Sequence, residues 1–547
     1  MFGAYRIFWT DSELWPLHIS KALFTDSFFV FETKPIFNFI LWLVTRVPLP
    51  EGFVVADLGR LLFGLNALLI SFLVYKVARC NNSSKFWPLF AAFLCISTYI
   101  FSLRGIEIRS DFLATTFVLL ALYFELKEKH VLFFLFLAMA FFATPKAVYL
   151  IFASLVLFLT KSEKSFRTKI KTPIRIVSTS LILLGLAFFT FQIGKVGLAD
   201  AFRIYLGSFT SAGQGFFYFS VESFKYVFRF LRTDYVFSTL LLVSLIYSLF
   251  NLKKDKNIRP FLIFNLLILF FMIVHPEKLP FYIASLIPLF SIFIASNFQA
   301  FVERQNKRSL LIAISALILF QTYSAIKNKI VLIKTHNNSE QRETIIYLTD
   351  YFAKFKYVRY FDSLGLIQDR LPEAWFLGPG QPEGNKNVVN YFIQWPPDIV
   401  LVSAKIDLMF GFFKPLLDQN YIMASPDVYL RAVTISLEPK EVKKGLSFSK
   451  VLNEIEQQMS LHWTPKSEFF IRVLNEKGED LSEFVKTKIG SDSYPLRGKY
   501  ESTWIFEKKG VFLFPSQAKV FQITPFGFPE LPIKRPLFDL FRFDLEY

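Results

Sequence analysis

Apolar residues fall in long runs at about 60–78, 86–103, 110–126, 130–143, 146–160, 175–194, 235–251, 260–274, 280–297 and 309–326, separated by short polar stretches. Each run predicts a helix that is apolar on every side, as a membrane span requires. Several are shorter than the ~20 residues a spanning helix needs, so their ends are soft. The polar stretches alternate in character. Cations cluster at Lys76, Arg79 and Lys85; at Lys161, Lys164, Arg167, Lys169, Lys171 and Arg175; at Lys253, Lys254, Lys256 and Arg259; and at Arg304, Lys307 and Arg308. Ten spans put all four clusters on one side, which the positive-inside rule makes cytoplasmic. The stretches between them, 104–109, 144–146, 195–234, 275–279 and everything beyond 327, then face out.

One apolar stretch breaks the parity. Residues 36–48, IFNFILWLVTRVP, reach only ~20 Å as a helix, short of a ~30 Å hydrocarbon core. They read as a helix lying in the interface, which leaves residues 1–59 as an external first loop with interfacial helices and 60–326 as the transmembrane helical domain. Beyond 327 the pattern changes. A helix at about 339–355 precedes two short strand-like runs, YVRYFDSLGLI and PDIVLVSAKI, bounded by Pro and Gly turns. Residues 327–432 therefore read as an extracytoplasmic α/β domain. Alternating stretches such as EFFIRVLNEKG and STWIFEKKGVFLF make 433–547 a β-rich extracytoplasmic region.

Composition agrees. Of 547 residues 53% are hydrophobic, 70 of them phenylalanine, more apolar mass than a soluble chain of this size carries. The fold class is a polytopic α-helical membrane protein. The net charge of +17 would suit nucleic acid, but the cations sit between apolar runs, so no nucleic-acid partner is expected. Cys80 and Cys95 give neither metal spacing nor a disulfide framework. The opening MFGAYRIFWTDSE lacks a basic region followed by an apolar one, so no cleavable signal is expected.

The chemistry gathers in the external stretches. The first has Asp11, Glu13, His18, Glu32 and Lys34; the second has Arg104, Glu107, Arg109 and Asp111. A turn, FFATPKAVY, carries Lys146, and VHPEKLPFYIASLIPLF carries His275, Glu277, Lys278 and Tyr282. Ionisable groups at membrane depth cost ~2.5–3.5 kcal/mol each and so pair or line a cavity. Taken singly, each also reads as an interface residue snorkelling to water, and Ser110 or Asp111 as a plain helix N-cap. As a set they differ from the opposite face, which carries mostly cations. Carboxylates among lysines and arginines suit transfer from a phosphate leaving group: the cations hold the phosphate and one carboxylate takes the acceptor's proton. A glycoside hydrolase would instead need a carboxylate pair across the bond. His130, His336 and His462 stand alone and read as surface residues.

Several of these pieces, in order, resemble the GT-C glycosyltransferases of the protein-mannosyltransferase-like and lipid A aminoarabinose-transferase-like group. They are the acidic first loop with ETKPIFNF, ADLGRLLFGLNALL with Arg60, RGIEIRSDFLATTFVLLALYF, the Thr-Lys turn ATPKAVYL and EKLPFYIASLIPLF, covering roughly residues 8–300. The resemblance implies an inverting hexosyl- or pentosyltransferase using a polyprenyl-phosphate sugar donor outside the cell's inner (cytoplasmic) membrane, periplasmic in a Gram-negative cell. It implies a lipid, glycan or protein acceptor, contact with membrane lipids and no required cofactor, a divalent metal being left open. By the same resemblance Asp11, Glu13 and Asp111 are catalytic candidates. Lys34, Arg60, Arg104, Arg109, Lys146, Lys278 and Tyr282 would face the donor phosphate, and His18, Glu107 and His275 would complete the cavity. The family tends to Asp-Glu in the first loop, where this chain has Asp11-Ser12-Glu13, so either acid is a candidate base. The family also begins with a spanning helix before that loop; here ten residues precede Asp11, so that helix is expected either upstream or lost. Two other readings use the same charged cavity, a transporter or lipid flippase and an inactive GT-C-like scaffold. A transporter typically shows internal repeats and midplane charges, and this sequence has neither.

Overall fold

The computed structural model describes residues 13–14, 16–17, 20, 34–49, 53–81, 84–161, 224–251, 258–274, 280–305, 308–335, 337–352, 359–362, 366, 393, 396–402, 407–459, 468–496, 500–501, 510–526 and 536–540. The chain divides into two compact units, Met1–Ser339 and Glu340–Tyr547.

The first unit is helical. Its described helices are α1 (Pro35–Thr45), α2 (Val55–Asn81), α3 (Phe86–Ser97), α4 (Tyr99–Arg104), α5 (Ser110–Leu126), α6 (His130–Ala143), α7 (Val148–Lys161), α8 (Phe224–Thr233), α9 (Tyr235–Asn251), α10 (Ile258–Val274), α11 (Pro280–Gln305) and α12 (Arg308–Thr335). Among the described residues α2, α11 and α12 are long and apolar enough to cross a membrane alone, and α8 with α9 would make a fourth span bent by 103°. The other described apolar runs form helices where the hydropathy places them, but of 12–17 residues. The run at 175–194 lies outside the described residues.

Several boundaries differ from the sequence reading: α2 starts at Val55 rather than 60, and α11 runs to Gln305 rather than ending at 297. The run at 86–103 breaks at Thr98, which is extended, because the Asp234 carboxylate accepts the N–H groups of Tyr99 (2.6 Å) and Ile100 (3.0 Å) and starts a new helix there. The last apolar helix runs to Thr335 rather than ending at 326. The N-cap of α5 is Arg109, in extended conformation and without a side-chain cap bond, rather than Ser110 or Asp111. The interfacial helix spans Pro35–Thr45, and its 11 residues reach ~16 Å, too short to cross. Phe37, Leu41 and Val44 turn inward against α2 and α6, while Phe39 and Leu43 stay exposed.

Helix packing buries apolar side chains and stitches them with sparse hydrogen bonds. Thr116 donates to Asn66 Oδ1 between α5 and α2 (2.8 Å), and Ser248 to Asn297 Oδ1 between α9 and α11 (2.6 Å). Phe237 N–H donates to Gln321 Oε1 of α12 (2.8 Å). Leu61, Leu65, Leu68 and Phe72 of α2 remain exposed along one face, as expected of a helix side turned to lipid.

The second unit holds α13 (Ser339–Phe352, the first residue of which closes the other unit) and three four-stranded sheets among its described residues. The first sheet has the order β1-β2-β4-β3, with Tyr360–Asp362 (β1) parallel to Ile399–Leu401 (β2) and Val428–Arg431 (β4) beside Tyr421–Ser425 (β3). Each strand-like run read from the sequence thus contains a three-residue strand among its described residues. The second sheet pairs Val433–Ser436 (β5), Glu468–Leu474 (β7), Val520–Thr524 (β12) and Tyr500–Glu501 (β10); the third pairs Leu446–Ser447 (β6), Lys486–Ile489 (β8), Asp492–Pro495 (β9) and Val511–Leu513 (β11). Phe512 joins them, its ring 4.6 Å from Phe448 and 5.1 Å from Phe521. Helix Pro439–Lys444 opens on a capping box between Glu438 and Glu441.

Candidate active site

Four helix N-termini of the first unit meet at one pocket, and each is set by a local signal. Pro35 takes the first position of α1, where its missing N–H costs nothing, and so makes Lys34 the N-cap. Gly105 ends α4, where an added Cβ would lie 2.6 Å from the Phe101 carbonyl oxygen; the chain then turns, Glu107 N–H donating to the Arg104 carbonyl, and extends at Arg109 to start α5 at Ser110. Thr144 precedes Pro145, which disfavours a helical Thr144 and ends α6; a single 3-10 turn, Pro145–Ala147, then leads into α7. Pro280 opens α11 and puts Tyr282 in its first turn.

The pocket these starts enclose is lined by Lys34 and Phe37 of α1, Ile108 to Asp111 around the start of α5, Thr144 and Lys146 of the turn, Tyr282 of α11 and Pro16. Its volume is about 90 Å³, well below the ~300–1,000 Å³ of drug-sized ligand sites, and it opens to solvent. That suits a headgroup rather than a whole lipid. Three cations, Lys34, Arg109 and Lys146, stand against one carboxylate, Asp111. The start of α5, whose first-turn N–H groups have no side-chain cap, adds the positive end of a helix dipole to the lining. Such a cavity is built to receive an anion.

Within it, Lys146 Nζ donates to the Tyr282 hydroxyl and lies 4.8 Å from that ring's centroid. The Asp111 carboxylate takes no hydrogen bond among the described residues, although the residue is nearly buried. The Thr144 hydroxyl is buried against the pocket and also has no partner there. Behind the rim, Glu107 accepts from Arg104 Nη1 and from Arg109 Nε (3.2 Å), so one carboxylate holds two guanidinium groups. Deeper still, Arg60 and Glu13 form a bidentate pair, Nε to Oε1 at 2.7 Å and Nη2 to Oε2 at 2.6 Å, both side chains almost fully buried. This pair ties the first loop to α2.

The structure therefore brings Lys34, Arg109, Asp111, Lys146 and Tyr282 together at one pocket. Arg104 and Glu107 form its supporting ion pairs, and Glu13 and Arg60 are engaged with each other. Asp11, His18, His275 and Lys278 lie outside the described residues. Thr144, Phe37, Ile108 and Pro16 are pocket residues that the charge pattern did not single out. Only Thr144 had a signal, its place beside Pro145 and Lys146 in the quoted turn. Among the described residues no three His, Cys, Asp or Glu side chains come together.

No protein-family model matches the chain. No characterised protein matches it in sequence. Solved structures do resemble it. ArnT from Cupriavidus metallidurans bound to undecaprenyl phosphate superposes with a TM-score of 0.55 at 12% identity, over 79% of this chain and 95% of that one. ArnT from the same bacterium in the apo state gives 0.54 at 11% identity, over 76% and 92%. The apo oligosaccharyltransferase of Archaeoglobus fulgidus is more remote, with a TM-score of 0.46 at 12% identity over 87% of this chain and 70% of that one. The chain has the GT-C fold, shared with ArnT.

Proposed function

We propose that this protein is an inverting glycosyltransferase that moves a sugar from a polyprenyl-phosphate donor to an acceptor hydroxyl or amine at the extracytoplasmic face of the membrane. The observation that carries this reading is the gathering of helix starts and three cations on a pocket whose one carboxylate, Asp111, takes no hydrogen bond among the described residues. The solved fold neighbour that holds undecaprenyl phosphate supports the donor class. In the proposed reaction the acceptor oxygen or nitrogen attacks the anomeric carbon as the bond from that carbon to the phosphate oxygen breaks. Lys34, Arg109 and Lys146 stabilise the departing polyprenyl phosphate, and Asp111 takes the acceptor's proton. The phosphate leaves without protonation, so one base suffices. Lys146 is oriented for this by the Tyr282 hydroxyl. Arg109 is held by Glu107.

Two measurements on the purified chain test the reading, retention of undecaprenyl phosphate and transfer from a labelled polyprenyl-phosphate sugar. Asp111→Asn should retain the lipid phosphate and lose ~10²–10⁴-fold in transfer, the range of one general base. Lys34→Met with Lys146→Met should lose lipid-phosphate retention. Transfer at the wild-type rate by Asp111→Asn would remove that residue from the chemistry. Unchanged lipid retention by the double lysine variant would remove the pocket.

A further inference from the structure

Helix α8 carries a charge pattern that the pocket does not use. Lys225, Arg229 and Arg232 stand at i, i+4 and i+7, which 3.6 residues per turn gathers within about 60° of arc. All three are exposed. Among the described residues Arg229 and Arg232 have no carboxylate at ion-pair distance, and α8 itself contains none. Phe228 and Leu231 are exposed on the neighbouring arc, while Phe230 is buried against the protein. The helix turns by 103° from the axis of α9. If α9 runs across the bilayer, that angle lays α8 close to the membrane plane. Its inner side packs on α4 and α11, the helices whose ends carry Arg104 and Tyr282.

We propose that α8 is a binding surface for anionic phospholipids, separate from the pocket. The Arg229 and Arg232 guanidinium groups, with the Lys225 ammonium beside them, hold headgroup phosphates, and Phe228 and Leu231 enter the acyl boundary beneath. Cations alone would suit any polyanion. The two large apolar side chains left exposed beside them, on a helix in the membrane plane, select a lipid surface over a soluble anion. A partner at this surface would fix α8, and with it the packing of α4 and α11. The proposal depends on the membrane fold and stands independently of the transfer reaction.

The test uses the full chain in neutral detergent, titrated with phosphatidylglycerol or phosphatidylcholine and read by native mass spectrometry. The wild type should retain phosphatidylglycerol preferentially. Arg229→Gln with Arg232→Gln, which keeps the helix propensity, should weaken that retention about 30-fold, the loss expected of two surface cations. Lys486→Gln with Lys488→Gln, exposed on β8 of the second unit, should leave it unchanged. Equal retention of the two lipids by the wild type overturns the proposal, as does a phosphatidylglycerol preference that survives the double arginine change. A second measurement needs no variant. Amide exchange across 224–233 should be slower in phosphatidylglycerol nanodiscs than in phosphatidylcholine nanodiscs, and equal rates in the two overturn the proposal.

Discussion

Two acids nominated for the same task sit in opposite situations. Glu13 gives both oxygens to Arg60 in a nearly water-free setting, whereas Asp111 faces the pocket with its carboxylate unbonded among the described residues. A buried bidentate pair stabilises chiefly because losing one partner strands the other charge, at a cost of ~3–5 kcal/mol. Glu13→Ala should therefore lower thermal stability strongly. Glu13→Leu with Arg60→Met should recover most of the loss, and a double-mutant cycle on unfolding in detergent measures the coupling. If the single variant melts like the wild type, Glu13 is not held as the geometry indicates. Thr144 makes the contrasting case. Its buried hydroxyl has no partner among the described residues, so replacing it by the near-isosteric valine removes an unsatisfied group and should cost little stability or even add some. A bound phosphate would supply the missing acceptor, so Thr144→Val should weaken undecaprenyl-phosphate retention ~10- to 150-fold, one hydrogen bond to a charged group. Stability and binding should thus move in different directions at this one residue.

Helix ends carry the site, and one of them is secured from far along the chain. Thr98 makes no cap for α4, its hydroxyl being bonded to the Cys95 carbonyl; Asp234 supplies the cap across more than a hundred residues. Helix α4 is only six residues, about 9 Å, and leads directly into the Arg104–Glu107–Arg109 cluster. Asp234→Ala should leave two N–H groups without their acceptor, destabilise the first unit by about 2 kcal/mol, and raise KM for the donor more than it lowers kcat. A fall in kcat at constant KM would argue that Asp234 acts elsewhere. In the second unit a helix end also sets a pH response. Burial alone would raise the Glu441 carboxyl. The hydrogen bond from Lys450, with the Glu438 backbone N–H, outweighs burial and holds it below the usual carboxylate range. A depressed carboxyl contributes stability that is present above its unfolded value, ~4.3, and lost as pH falls through the folded one. Amide protection across 438–450, taken relative to the intrinsic exchange rate at each pH, should therefore fall as pH drops below ~4, and Glu441→Gln should flatten that dependence.

At the scale of the molecule, what could be read from sequence was what is local. Apolar runs marked where helices lie, because hydropathy is a property of consecutive residues, and Tyr360–Asp362 and Ile399–Leu401 fell inside the two strand-like runs. Parity then grouped the loops bearing Lys34, Asp111, Lys146 and Tyr282 at one end of the bundle, and the pocket joins those four residues. Partner choice was not legible. Nothing near Arg60 announces Glu13, nothing near Tyr99 announces Asp234, and the break at Thr98 follows from that distant carboxylate rather than from its own neighbours. Individual charges could be placed on a face, but not divided into those spent on each other and those left for a ligand.

That shared end should face away from the cytoplasm, and the cations at the other end supply the reason. Helix α2 ends beside Lys76, Arg79 and Lys85, and the turn after α5 carries Lys127 and Lys129 with Glu128, whereas the approach to α5 sets Glu107 and Asp111 among Arg104 and Arg109 and the start of α7 carries Lys146 alone. Retention of Lys and Arg in short loops on the cytoplasmic side orients a multispanning chain, while Asp and Glu contribute little. Single cysteines placed in a Cys80→Ser, Cys95→Ser background read the outcome directly. Ser84→Cys, in the loop after α2, should react with a membrane-impermeant maleimide only once cells are opened. Lys477→Cys, exposed in the turn after β7 of the second unit, should react in cells whose cytoplasmic membrane is intact. The reverse labelling pattern would put the pocket on the cytoplasmic side and reverse the face at which the donor is proposed to act. Labelling of both positions before opening would mean an even number of helix crossings between them, against the odd number that ten spans require.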